Sequence, residues 1–184
     1  MKLATAIKGC VLRPWVPADK PSLIANANNR NVWRNLADVF PHPYTDADAD
    51  AWFQIAARPG RSIYFAIELD GAAVGGFSAR TGEGIFVRTA HFGYWLGEAY
   101  WGKGVVTAAG QAILEYLKAD ARFARLESPV FEWNPSSMRV LEKLGFERVA
   151  VLRKSVTKDG QLIDSVLYSY LLNEESESSR SLQK

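Results

Sequence analysis

Residues 97–110 read "GEAYWGKGVVTAAG", and the reading of this stretch decides the fold. Before it, "TAHFGYWLG" (89–97) reads as the end of a strand. After it, Val105, Ala109, Ala112, Ile113, Tyr116 and Leu117 recur at helical spacing and line one face. A strand that passes through glycines into a helix leaves the first N–H groups of that helix without intrahelical partners, at the positive end of its dipole. Such a joint binds anions, and glycines let a phosphate approach the amides.

Three readings compete for the loop taken alone. "GEAYWGKG" matches the nucleoside-triphosphate pattern G-x-x-x-x-G-K up to its last letter, but Gly104 stands where a Ser or Thr hydroxyl would hold magnesium. A dinucleotide fingerprint needs glycine at position 107, where Thr107 stands, and the neighbourhood is rich in hairpins. A tight strand-to-helix turn with no ligand is the third.

Working outward, "CVLRPW" is a short strand, and Asp19 is expected to cap a helix running to about Asn28. "NNRNVWRNLADVFPHPYT" reads as a short helix and an ordered loop, after which Thr45 or Asp46 caps the helix "DADADAWFQIAAR". "SIYFAIELDGAAVGGFSAR" is two strands around the turn Asp70-Gly71. Beyond the glycine joint come the strand "LESPVFEW", a short helix capped by Asn134 with Pro135 at its first position and ended by Gly145, and two strands around Asp159-Gly160. Hairpins followed by strand–helix alternation predict an α/β (α+β) domain over residues 1–172, with a mixed, mostly antiparallel central sheet flanked by helices. "NEESESSRSLQK" from Asn173 has one apolar residue and no periodicity, and is expected to be a disordered tail.

Composition narrows the partner. The chain has 184 residues, with 22 basic and 20 acidic ones spread along it, which gives no field suited to nucleic acid or an anionic membrane. The single cysteine, Cys10, cannot form an internal disulfide, and neither a secretory signal nor a membrane-length apolar run is evident, so a cytoplasmic setting is expected. The partner is therefore expected to be small.

About thirty residues after the glycine joint stands "NPSSMRVLEKLGF" (134–146). The pair "YWGKGVVTAA" and "NPSSMRVLEKLGF", in that order and at that separation, resembles the GNAT superfamily of acetyl-coenzyme A dependent N-acetyltransferases, and within it the branch of ribosomal-protein N-terminal acetyltransferases. The resemblance covers about Val11 to Leu172. It implies that the amides of Gly102, Lys103, Gly104, Val105, Val106 and Thr107 hold the pyrophosphate of acetyl-CoA without any metal. It further implies that the strand end Trp95, Leu96 and Gly97 bonds the pantetheine arm like an added strand, with Asn134 on the other side. Trp101 and Val106 depart from the superfamily's loop pattern, the valine crowding the approach.

Attack of an amine on a thioester needs a neutral amine, a stabilised oxyanion and a proton for the departing thiolate. Where many superfamily members place a glutamate base, this chain has His91, whose side chain suits proton removal near neutral pH; a strand histidine bonded to a carbonyl is the competing reading. Leu141 stands where the family often has a tyrosine acid, which leaves Ser137 as the donor to sulfur, with a backbone N–H around Leu96 for the oxyanion. The acceptor is expected against Trp33, Asn35, Phe40 and Tyr44, with Arg34 and His42 nearby and Ser155, Lys158 and Asp164 from the last hairpin. It would be a peptide N-terminus or a small-molecule amine, and the protein a monomer or homodimer. A non-catalytic acyl-CoA sensor is the alternative, motivated by the missing glutamate and tyrosine.

Overall fold

A computed structural model describes residues 1–172 of the chain, so the tail expected from Asn173 lies outside the described residues. In chain order the elements are β1 (Leu3–Ala4), β2 (Cys10–Arg13), α1 (Lys20–Ala27), α2 (Arg30–Trp33), α3 (Asp46–Ala56), β3 (Ile63–Leu69), β4 (Ala72–Thr81), β5 (Thr89–Leu96), α4 (Val105–Asp120), β6 (Arg125–Phe131), α5 (Pro135–Lys143), β7 (Glu147–Lys158) and β8 (Gln161–Leu171). Both expected two-residue turns form, with Asp70 and Asp159 at φ 49° and 52°, the left-handed values such turns demand. β1 escaped the sequence reading because two residues carry no periodicity.

The strands form one sheet in the order β1-β2-β3-β4-β5-β6-β8-β7. Every neighbouring pair is antiparallel except β5 with β6. That parallel contact is short: Thr89, Ala90 and His91 lie opposite Arg125, Leu126 and Glu127, and no pairing follows, although β5 continues to Leu96 and β6 to Phe131. The sheet therefore opens into a fork. Pro129 sits on the opened side of β6, where its missing N–H leaves no ladder bond unmade.

Helices cover both faces. Val105, Ala109, Ile113, Leu114 and Leu117 of α4 and Leu141 of α5 are buried against Leu12, Phe65, Phe77, Phe92 and Leu126 of the sheet. Ala112 and Tyr116, expected on the same helix face, are only partly buried, while Ala108 and Leu114 join the buried set. Each fully buried leucine or isoleucine contributes roughly 1.5–3 kcal/mol. On the opposite face α1 and α3 enclose Trp15, Leu23, Ala27, Tyr44, Ala49 and Ala66, and the Trp15 and Trp95 rings stack at 6.5 Å.

Two caps form as the residues suggest. Thr45 accepts from the Asp48 N–H at 3.4 Å and Asn134 Oδ1 accepts from the Ser137 N–H at 3.1 Å. Asp19 does not cap α1: its carboxylate turns back to take both terminal nitrogens of Arg13 at 2.7 Å and the Val16 N–H at 3.0 Å. Arg13 is itself buried, and an unpaired buried guanidinium costs more than an uncapped helix end.

Candidate active site

The glycine joint has the geometry its sequence implies, for a sharper reason than clearance. Gly102 and Gly104 adopt φ of 72° and 76°, and a Cβ at either would meet nothing within 4 Å. Glycine is required there by backbone conformation rather than by crowding. Gly104 is the N-cap of α4 and its carbonyl accepts from the Ala108 N–H at 3.0 Å. The N–H groups of Val105, Val106 and Thr107 are thus left as the unpaired donors of the first turn. Lys103 points elsewhere, its ammonium lying 5.7 Å from the Tyr100 ring centre, and it does not line the cleft. Val106 is half-buried, touching both core and cleft.

A single hydrogen bond sets the phase of β5. The Gly97 N–H donates to Val74 O at 2.8 Å, so odd-numbered positions direct their backbone groups to β4 and even-numbered ones to the β6 side. Where β6 has parted, the N–H and C=O of Tyr94 and the N–H of Leu96 therefore face the fork; the Leu96 carbonyl is taken by Trp101 Nε1 at 2.8 Å. Trp95 spends its backbone groups on β4, and Gly97 gives its N–H to β4 and its carbonyl to the Tyr100 N–H at 3.0 Å. Gly97 has a further reason to be glycine, since a Cβ there would lie 2.1 Å from Asn26 Oδ1.

The fork opens into a cleft of about 700 Å³ that passes between the two faces of the sheet. Gly102, Gly104, Val105, Val106, Thr107, Tyr94, Leu96, Asn134, Ser137, Arg139 and Lys143 line it from the α4 and α5 side. Here the structure brings together a pair that the sequence reading missed. Tyr94 Oη lies 2.7 Å from Ser137 Oγ and 3.1 Å from Ser137 O. Burial pushes the Tyr94 phenol up, well above its ordinary value, so it stays protonated. Leu141, at the position of the family's frequent tyrosine, is fully buried core. The alternation of β5 was the available signal: Tyr94 shares its face with Phe92 and Leu96, under α5.

His91 and Arg80 stand side by side on the other face, as opposite residues of β5 and β4, and both line the cleft. His91 occupies the last paired position before the fork and is exposed, and its side chain makes no hydrogen bond to protein among the described residues. It also borders a second hollow of about 390 Å³ with Glu83, Phe86 and Glu127. Of the residues expected to hold the acceptor, Asn35 lines the cleft with Arg34, whose guanidinium carbon lies 5.2 Å from the Trp133 ring centre. Phe40 and Tyr44 instead pack in the core beside Trp95, with centroids 5.2 Å apart, and burial pushes the Tyr44 phenol up to about 12. Trp33 also stands outside the cleft lining, 3.5 Å from the ammonium of Lys158, which is 1% exposed and bonded to Asp38 at 2.5 Å. Arg30 bonds Asp159 at 2.7 Å, so the tip of the β7–β8 hairpin is clasped to α2. Asp164 is occupied as well, bonding the Lys154 N–H and, through its backbone, Glu132.

A forked, mostly antiparallel sheet with a glycine-capped helix N-terminus at the mouth of the fork defines an acyl-coenzyme A transferase fold. Residues 10–147 match the acetyltransferase (GNAT) domain, and the chain belongs to that family. It is similar to the probable N-acetyltransferase YjcK of Bacillus subtilis (strain 168), 39% identical over 74 residues, which are 40% of this chain and 41% of that protein. The aligned stretch spans under half the length of this and of two further curated relatives. Among solved structures it is similar in fold to the ribosomal-protein α-N-acetyltransferase RimL in complex with coenzyme A, with a TM-score of 0.82 at 18% identity, covering 93% of this chain and 98% of that one. The microcin self-immunity acetyltransferase MccE, in complex with acetyl-CoA and AMP, gives a TM-score of 0.77 at 22% identity over 90% of this chain and 93% of that one. The family expectation drawn from "YWGKGVVTAA" and "NPSSMRVLEKLGF" holds.

Proposed function

We propose that the chain transfers an acetyl group from acetyl-CoA to a primary amine, either a protein N-terminal α-amine or a small-molecule amine, by direct attack. The observation that carries this reading is the fork: unpaired strand groups at Tyr94 and Leu96 run straight into unpaired helix N–H groups at Val105 to Thr107. The first set suits the amide-rich pantetheine arm as a surrogate strand, and the second suits a pyrophosphate without a metal. Asn134 borders the arm from α5. That similar proteins were solved with coenzyme A and with acetyl-CoA supports the same cosubstrate here.

When bound, the thioester supplies the activated acetyl group. The fork's backbone N–H that the arm leaves free, at Tyr94 or Leu96, stabilises the charge that develops on the carbonyl oxygen. His91 takes the proton lost by the amine as the N–C bond forms and the C–S bond breaks. Either oxygen of the Tyr94–Ser137 pair can be the donor; with the Tyr94 O–H given to Ser137 Oγ, the serine's own O–H is left to turn toward the departing sulfur. Incubation with acetyl-CoA and a pooled set of amines and peptides, followed by thiol release and product mass, tests the reading. One or more acetylated amines are expected; coenzyme binding with no transfer across the pool would leave a sensor instead.

A further inference from the structure

Charge in the cleft is one-sided. Arg34, Arg80, Arg139 and Lys143 line it, and among the described residues no aspartate or glutamate does. This matters because amines reach a protein mostly as ammonium ions, and a site for a simple cationic amine would gain from a carboxylate near the point of attack. Strand phase divides the four cations. Arg139 and Lys143 ride on α5, on the same side of the sheet as Tyr94 and Ser137, where the coenzyme's own phosphates lie in the proposed pose. Arg80 is on the opposite face, paired across the strands with His91. Arg34 follows α2 and reaches across to Trp133 at the start of the β6–α5 joint.

Both acceptor-side arginines are exposed and form no ion pair among the described residues. The arginines that support the fold behave differently: Arg13, Arg30, Arg122 and Arg125 each hold a carboxylate. Glu127, the residue opposite His91 on β6, is bonded to Arg125 at 2.8 Å, and it and Glu83 line the second hollow rather than the cleft. Two unpaired guanidinium groups, Arg80 beside the base position and Arg34 elsewhere in the cleft lining, are therefore left to be matched by the acceptor.

We infer that the acceptor is a primary amine carrying its own anion, a carboxylate or a phosphate close to the amino group, with Arg80 and Arg34 as the groups that receive that anion. The planar guanidinium binds either oxyanion through two parallel N–H donors, which fixes orientation as well as charge. With its anion held by Arg80, the amino group of such a molecule is presented beside His91. The inference rests on the transferase reading and names the substrate class that reading leaves open.

The test uses matched acceptors that differ only in charge: an amino acid against its amide, an aminoalkyl phosphate against the amino alcohol, and short peptides with Asp against Asn beside the N-terminus. Thiol release and product mass give kcat/KM for each with the full chain, for the Arg80→Gln and Arg34→Gln variants, and for Arg80→Lys. Anionic members are expected to exceed their neutral partners by about tenfold or more, the effect of one charge-assisted hydrogen bond. Either glutamine variant is expected to shrink that ratio toward one through KM, with calorimetric affinity for CoA unchanged, and Arg80→Lys to retain part of it. The three pairs tell carboxylate, phosphate and peptide sources apart. Equal turnover of anionic and neutral partners overturns this inference and leaves the transferase standing; no turnover of any amine overturns both.

Discussion

The two halves of the cleft are built from different material. The half proposed for the coenzyme is made largely of main chain: left-handed Gly102 and Gly104, the bare N–H groups of Val105 to Thr107, and the unpaired backbone of Tyr94 and Leu96. The half proposed for the acceptor is made of side chains carried by separate elements: His91 on β5, Arg80 on β4, Arg34 after α2 and Trp133 before α5. Main-chain recognition tolerates change in nearly every side chain so long as the backbone path is kept, and side-chain recognition does not. The first half can thus serve one invariant coenzyme while the second is rebuilt for a particular amine.

This contrast sets what each substitution should do. The largest effect is expected from His91→Ala, which should lower kcat by about 10²–10⁴-fold, the range for a general base, while calorimetric affinity for CoA stays the same. A variant with unchanged turnover would remove His91 from the chemistry and leave it as a strand residue. Gly104→Val should act on the other half alone. A β-branched residue at that φ costs about 1–3 kcal/mol, which should appear as roughly 10–100-fold weaker coenzyme binding with the preference among acceptors preserved. Tyr94→Phe removes one hydroxyl and should lower kcat by about tenfold, no further in combination with Ser137→Ala, because the two groups act as a unit. Additive losses would separate them.

Smaller effects are expected where the acceptor half is braced. Lys158→Met deletes the ammonium held by Trp33 and Asp38 and should cost about 1–2 kcal/mol, lowering Tm by roughly 2–6 °C and raising the acceptor KM more than that of acetyl-CoA. A further effect is set by pH. The Tyr44 phenol is raised from its ordinary value near 10 to about 12 by burial, so the stability it contributes is complete below about pH 10 and lost as pH rises toward 12. Denaturant unfolding across that interval should show the decline, and Tyr44→Phe should lessen it, the raised Tyr94 phenol accounting for part of what remains.

Much of the backbone geometry around the glycine joint was legible in the sequence because glycine and proline mark it locally. Gly102, Gly104, Asn134 and Pro135 each stand where their own conformational preference places them. Gly97 and Trp95 were read as donors to the cleft, yet their phase depends on the ladder to β4, which no local pattern fixes. The acceptor half was read less well for the same physical reason. Trp33, Phe40 and Tyr44 are aromatic residues of one loop, and sequence cannot tell an aromatic that lines a cavity from one that fills a core. Arg80 and Tyr94 were missed because each matters only through a partner far along the chain, His91 for one and Ser137 for the other. Asp19 misled in a similar way, its carboxylate being claimed by a buried arginine before the helix could use it.

Pro129 has a consequence for the fork. A zipper with one tooth missing cannot run shut, and β6 lacks a donor just where it would have to rejoin β5. The slot is kept open by an imino acid, so an incoming cosubstrate meets a groove already parted and has no native strand pairing to displace.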